Sequence, residues 1–174
     1  FQEGNAESDI ELPAQFTVGV ATRVTDALLI EVGARWEDWD VNDKQTLDLQ
    51  NPILGETRIV QERDWHSTWT YNIGANYKLS DSIALNCGYL YGQNAVPNQT
   101  FEPIIPDADA HLFTVGTDLK KDAWTISAAF GYEYHEERTK NNSVGDPISG
   151  SPDYMANGDY NTDIRSESTR LNSS

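Results

Sequence analysis

Apolar and polar residues alternate with a period of two in six separate runs of this chain, as expected of strands with one apolar and one polar face. From Gln15 to Val24, Phe16, Val18, Val20 and Val24 alternate with Thr17, Gly19, Ala21 and Arg23. From Ala27 to Trp39, Leu28, Ile30, Val32, Ala34 and Trp36 stand against Glu31, Gly33, Arg35 and Glu37. The third run, predicted to start at Trp65 and reach Leu79, sets Trp65, Trp69, Tyr71, Ile73, Ala75 and Tyr77 against His66, Thr70, Asn72, Asn76 and Lys78. The remaining three cover 83–92, 113–120 and 124–135, with Tyr89, Tyr91, Phe113, Val115, Trp124, Ile126, Phe130, Tyr132 and Tyr134 on their apolar faces.

The connections alternate in length. Thr25-Asp26, Ser80-Asp81 and Lys121-Asp122 are predicted tight turns, each carrying a residue type suited to turns. Between them lie long polar loops over 40–64, 93–110 and 136–160. A soluble sandwich has no reason to keep all its short turns at one end, whereas outer-membrane barrels do so. The aromatic residues are sorted in the same sense. Trp36, Trp65, Trp69, Tyr91, Tyr132 and Tyr134 fall toward the long-loop end, and Tyr77 and Trp124 toward the turn end. Trp124 and the Tyr132/Tyr134 pair are separated by roughly 20–25 Å at ~3.3 Å per residue and ~40° tilt, the height of a lipid-facing band with a girdle at each rim. The fold class predicted from these patterns is all-β, part of an antiparallel transmembrane β-barrel. The opposite face, with Glu31, His66, Thr70, Asn72 and Asn76, is predicted to line a wet lumen. An open edge in lipid would leave backbone N–H and C=O groups unpaired, so about six strands imply that others complete the barrel.

Composition narrows the function classes. Acidic residues number 28 against 12 basic, a formal net charge of −16, and no nucleic-acid partner is expected of such a chain because phosphates are held by clustered Lys and Arg. No apolar run approaches the ~18–20 residues of a membrane helix. The single cysteine, Cys87, excludes an internal disulfide and is read as filling a gap on an apolar strand face. His66, His111 and His135 lack the spacing of a zinc motif, and no Ser–His–Asp order, paired carboxylate site or Gly-rich phosphate loop stands out. No catalysis, metal or cofactor is expected. Solvation accounts for the acidic loop residues Asp40, Asp43, Asp146 and Asp153, and bridging by divalent cations to lipopolysaccharide is the alternative. Glu31 and Arg35, two apart on one polar face, are read as an ion pair in the lumen. In the loop from Gln93 to Ala110, the apolar Val96, Phe101, Ile104 and Ile105 either meet a hydrophobic ligand or pack the loop onto its neighbours.

Three stretches carry a family resemblance. Leu12-Pro13-Ala14-Gln15-Phe16-Thr17-Val18-Gly19-Val20 resembles the strand start of the FadL-type (OmpP1/FadL/TodX) outer-membrane transporters of long-chain fatty acids and hydrocarbons. So do Trp65 to Ala75 followed by Tyr77, and Ala95-Val96-Pro97 followed by Ile105-Pro106-Asp107-Ala108-Asp109-Ala110-His111. The resemblance extends to about Ile164. It implies about six late strands of a barrel of about fourteen, plugged by an N-terminal hatch absent from this chain, in the bacterial outer membrane. It further implies passive uptake of hydrophobic compounds, with outer-membrane lipid and lipopolysaccharide as surroundings. A basic residue would sit beside the ligand carboxylate, with Arg35 and Arg63 as candidates. The alternatives are another outer-membrane barrel, porin or adhesin, or a soluble β-sandwich binding module. Residues 165–174 do not read as a barrel strand. They resemble translated adapter sequence, so 1–164 is expected to be barrel and 165–174 a non-native tail.

Overall fold

The computed structural model describes residues 5–8, 11–53, 55–101, 107–140, 157–160 and 163–173. The strands are β1 (Ala6–Ser8), β2 (Gln15–Arg23), β3 (Leu28–Glu37), β4 (Lys44–Ile53), β5 (Glu56–Glu62), β6 (Thr68–Lys78), β7 (Ile83–Gly92), β8 (Ala110–Lys121), β9 (Trp124–His135), β10 (Arg138–Lys140), β11 (Gly158–Tyr160) and β12 (Asp163–Ser173). Seven of them form one antiparallel sheet in the order β12-β9-β8-β7-β6-β3-β2. Its edge strands, β2 and β12, are not paired with each other, so the sheet is an open segment of a barrel wall.

The period of two becomes a period across strands through the register. Val20, Val32, Ile73, Tyr89, Phe113 and Tyr132 follow one another as direct partners and make one continuous apolar row. Partnered residues share a face, so a shift by one position in any strand would turn its apolar residues to the other side. This apolar face is uncovered: Val20 is 63% exposed, Val115 58% and Ile73 50%. Phe16, Trp36 and Trp69 are register partners at the loop end. Trp69 stacks on Tyr71 at 6.0 Å, and Tyr89 packs on Phe113 at 5.0 Å. A sandwich would hide this face under a second sheet. Here it meets the surrounding medium, as the face of a membrane barrel must.

The opposite face is polar and bonded across strands. Asn76 donates to Asn86 (2.7 Å), Asn86 to Asp118 (2.8 Å), and Ser127 to the other oxygen of Asp118 (2.6 Å). Thr70, Asn72 and Asn76 share this face with Glu31, by register. The connections β2–β3, β6–β7 and β8–β9 are short. In the first, Thr25 Oγ1 accepts from the backbone N–H groups of Ala27 (3.2 Å) and Leu28 (3.0 Å). In the last, Asp122 takes the left-handed conformation (φ 53) that Asp tolerates better than most residues.

Three expectations are revised. β6 starts at Thr68, so Trp65 and exposed His66 precede the strand and belong to the loop end. There the backbone of His66 bonds Ala95 (2.8 Å), and the chain has turned away from the strand path. The loop over 40–64 is not irregular: β4 and β5 pair as a hairpin, with β1 on its edge. Residues 163–173 form a strand paired with Trp124 to Tyr134 of β9. A ladder is made by backbone groups, so the edge of β9 accepts a partner of unpromising side chains.

Candidate functional site

Every buried residue among those described lies at the loop end of the sheet: Thr68, Ala95, Val96, Thr100, Phe101, Ala108 and Arg138. There the polar face also forms a hollow. Arg35, Thr70, Gly92, Ala110 and His135 occupy one register level across five strands. Gly92 and Ala110 contribute almost no side chain, which leaves space between the larger Arg35 and His135. The space is a cavity of about 380 Å³, closed by Ala95, Val96 and Ala108 of the loop after β7 and walled by Trp39 and Trp65. The two indoles meet edge to face at 5.4 Å.

The described parts of the loop after β7, residues 93–101 and 107–109, are tied together by a knot of three charged residues. Asp107 accepts from the backbone N–H groups of Ala95 (2.7 Å) and Val96 (3.0 Å). Asp109 accepts from Tyr91 Oη (2.5 Å), from the backbone N–H of Asn94 (2.9 Å) and from the Asn94 side chain. Arg138 donates to the carbonyls of Val96 (2.6 Å) and Asp107 (3.1 Å) and to Asn98 Oδ1 (2.8 Å). Its guanidinium lies 5.0 Å from the centre of the Phe101 ring. Burial pushes the Asp107 carboxyl above its ordinary range, opposed by the two backbone bonds and the Arg138 charge. Burial acts the same way on Asp109. There, bonds from Tyr91 and Asn94, with Arg138 nearby, outweigh it and hold the carboxyl below its ordinary range. Burial also lowers the Arg138 guanidinium, against the pull of both aspartates.

Inside the cavity, charge is paired off. Arg35 bonds Glu37 at 3.1 Å, and Glu37 also accepts from Gln15 Nε2 at 2.8 Å. The expected pair of Arg35 with Glu31 does not form. Glu31 stands two register levels from Arg35, opposite Gly74, and the neighbour at residue 37 captures the guanidinium. His135 Nε2 meets Glu133 at 2.8 Å. Two buried polar atoms on the cavity's residues have no partner in the structure: Trp65 Nε1 and His135 Nδ1.

The residues singled out from sequence are only partly gathered here. Arg35, Thr70 and Val96 line the cavity. Arg63 lies across Trp65 in a second cavity of about 620 Å³ beside β4 and β5. It donates to Gln45 at 2.5 Å and sits 5.9 Å over the Trp65 ring. Phe101, only 1% exposed, packs edge-on to Tyr160 at 5.6 Å and anchors the loop. Glu31, Asn72 and Asn76 lie farther along the polar face. Ile104, Ile105, Asp146 and Asp153 lie outside the described residues. Asp40 is not merely solvated, since it accepts from the backbone N–H of Ser67 at 2.7 Å. Sequence reasoning missed Asp107, Asp109 and Arg138 as a unit, and His135 and Trp65 as cavity residues. The Asp-x-Asp spacing ahead of β8 was the available signal for the first two.

Comparison with known proteins agrees with this architecture. Residues 2–167 match the family model described as outer membrane protein transport protein (OMPP1/FadL/TodX). No curated protein matches the chain. Among solved structures, the crystal structure of a Pseudomonas aeruginosa FadL homologue superposes with a TM-score of 0.75 at 22% identity, over 95% of this chain. The chain spans 35% of the length of that protein. At this identity the match concerns the fold.

Proposed function

Because the chain belongs to the OMPP1/FadL/TodX family of outer membrane transport proteins and resides in the bacterial outer membrane, we propose that it forms part of a passive channel for hydrophobic compounds such as long-chain fatty acids. In this reading the apolar face contacts outer-membrane lipid, with lipopolysaccharide around the loop end. The polar face, with Glu31, Thr70, Asn72 and Asn76, lines the lumen. The cavity beneath loop 93–110 is a station for cargo entering from outside, and nothing is done to the cargo chemically. The observation that carries the reading is the cavity's composition and place. Trp39, Trp65, Leu90, Val96 and Ala108 give apolar walls at the outer mouth of an otherwise polar face. Apolar walls with a few placed polar groups are what small-molecule sites require.

Uptake of labelled oleate by cells with and without the intact protein tests this. Uptake is expected to require the protein. Ala110→Trp, which fills the hollow, is expected to reduce it several-fold while the protein keeps its heat-modifiable migration in detergent gels. Equal uptake with and without the protein would rule the transport reading out.

A further inference from the structure

Resting on that transport reading, we infer that Trp65 sets which shape of cargo passes inward, admitting single flexible chains and holding back rigid fused-ring molecules. Two cavities meet at this one side chain. The inner cavity, about 380 Å³ beneath the loop after β7, and the outer one, about 620 Å³ beside β4 and β5, share no other lining residue among the described residues. The outer cavity is rich in charge, with Glu7, Lys44, Asp48, Arg58 and Arg63 in its lining. The inner one has the apolar walls of Trp39, Leu90, Val96 and Ala108. The direct way from the charged mouth to the apolar hollow runs past the Trp65 indole.

The indole is held by a residue of each cavity. Arg63, which lines the outer cavity and not the inner, puts its guanidinium 5.9 Å from the ring centre. Trp39, which lines the inner cavity and not the outer, meets the ring edge to face at 5.4 Å. The backbone beneath is fixed as well. Asp64 takes the left-handed conformation (φ 50), which turns the chain between Arg63 and Trp65. The N–H of Arg63 donates to the Asp43 carbonyl (2.8 Å), and the Arg63 carbonyl accepts from Thr100 Oγ1 (2.5 Å). The N–H of His66 donates to the Ala95 carbonyl (2.8 Å), and that of Ser67 to Asp40 Oδ1 (2.7 Å). The segment carrying Trp65 is therefore pinned both to the β3–β4 connection and to the loop after β7. A ring held this way does not swing aside. A flexible chain slips past its edge a few carbons at a time, whereas a fused-ring body has to pass whole. Differences of shape at apolar contacts are a physical basis on which such sites sort substrates.

The test uses the intact protein in cells and two probes, labelled oleate and pyrene, each corrected for uptake by cells without the protein. The native protein is expected to favour oleate. Trp65→Ala joins the two cavities and is expected to raise the ratio of pyrene to oleate uptake about tenfold, the lower end of what a small shape difference at an apolar site gives. Trp65→Phe keeps a ring at the partition and is expected to keep the native ratio. A merely structural role for Trp65 would lower both uptakes together and leave the ratio alone. Where heat-modifiable migration shows that Trp65→Ala does not fold, Trp65→Leu replaces it, with the same rise expected. An unchanged ratio in the variant without a ring overturns the inference, and so does a Trp65→Phe variant that behaves like it. Entry of a water-soluble dye along with pyrene also overturns it, because the variant has then opened a leak and not a sorted path. Native protein that takes up neither probe counts instead against the transport reading itself.

Discussion

The wall of the sheet and the knot at its loop end solve the problem of burial in opposite ways. Along the wall, Val20, Val32, Ile73 and Val115 stay roughly half exposed or more, and among the described residues no side chain of the mid-wall is buried. At the loop end, Phe101, Val96 and Arg138 are buried in the space of one loop and its neighbours. In the proposed channel lipid would cover the wall's open apolar face, while its backbone groups are satisfied by strand pairing. At the loop end, residues 94–96 and 107 lie outside the strand ladders, and side chains satisfy their backbone groups instead. Asp107, Asp109 and Arg138 take up the N–H and C=O groups of residues 94–96 and 107. The wall therefore rests on its strand ladders, and the rim on specific charged residues.

The largest expected effect separates two adjacent wall residues. Val32→Arg puts a cation on the lipid face and is expected to destabilise the intact barrel by about 2–4 kcal/mol near the bilayer midplane. Glu31→Arg, one residue earlier on the polar face, is expected to change little. Urea titration of folding into lipid vesicles reads both, and equal costs would break the contrast between faces. Arg138→Met comes next. It leaves the Val96 and Asp107 carbonyls without their donor, an expected cost of about 1–3 kcal/mol, confined to the rim. Faster proteolysis within 93–110, with unchanged heat-modifiable migration, is the predicted outcome.

Acid sharpens the picture at the rim with a smaller effect. The Asp109 carboxyl is depressed, so the unfolded loop binds the proton more readily. Its stabilisation is present above about pH 4 and is lost as pH falls through the folded value. Asp107, raised by burial, acts in reverse: its contribution is largest below the ordinary carboxylate value and declines as pH rises through the folded one. Asp109→Asn is expected to remove the acid-side loss of protection at the Asn94 amide, measured by hydrogen exchange. If the acid response is unchanged in that variant, Asp109 is not its source. The smallest effect is expected at Cys87, exposed on the apolar face between Ala75 and Val115. Cys87→Ala is expected to cost less than about 1 kcal/mol. In lipid vesicles, the native thiol should react with a membrane-soluble maleimide and resist a charged one.

The strands, their faces and the tight turns were legible in the sequence because their causes are local. Alternation assigns each residue of β2, β3, β7 and β9 to a face without knowledge of any neighbour. Thr25 and Asp122 act within the turns that contain them. The site was only partly legible. Arg35, Thr70 and Val96 were picked out as candidates. The placing of Arg63 and Phe101 elsewhere depends on where the hairpin β4–β5 and Arg138 come to rest.

What the sequence determined by itself is a wall with one apolar and one polar face, since a period of two and short turns require no long-range information. What only the tertiary structure decided is which residues share a level. Arg35, Thr70, Gly92, Ala110 and His135 meet through the register of five strands. Arg138 closes a loop from 42 residues away. Register and loop closure are relations between distant segments, and no local pattern of side chains encodes them.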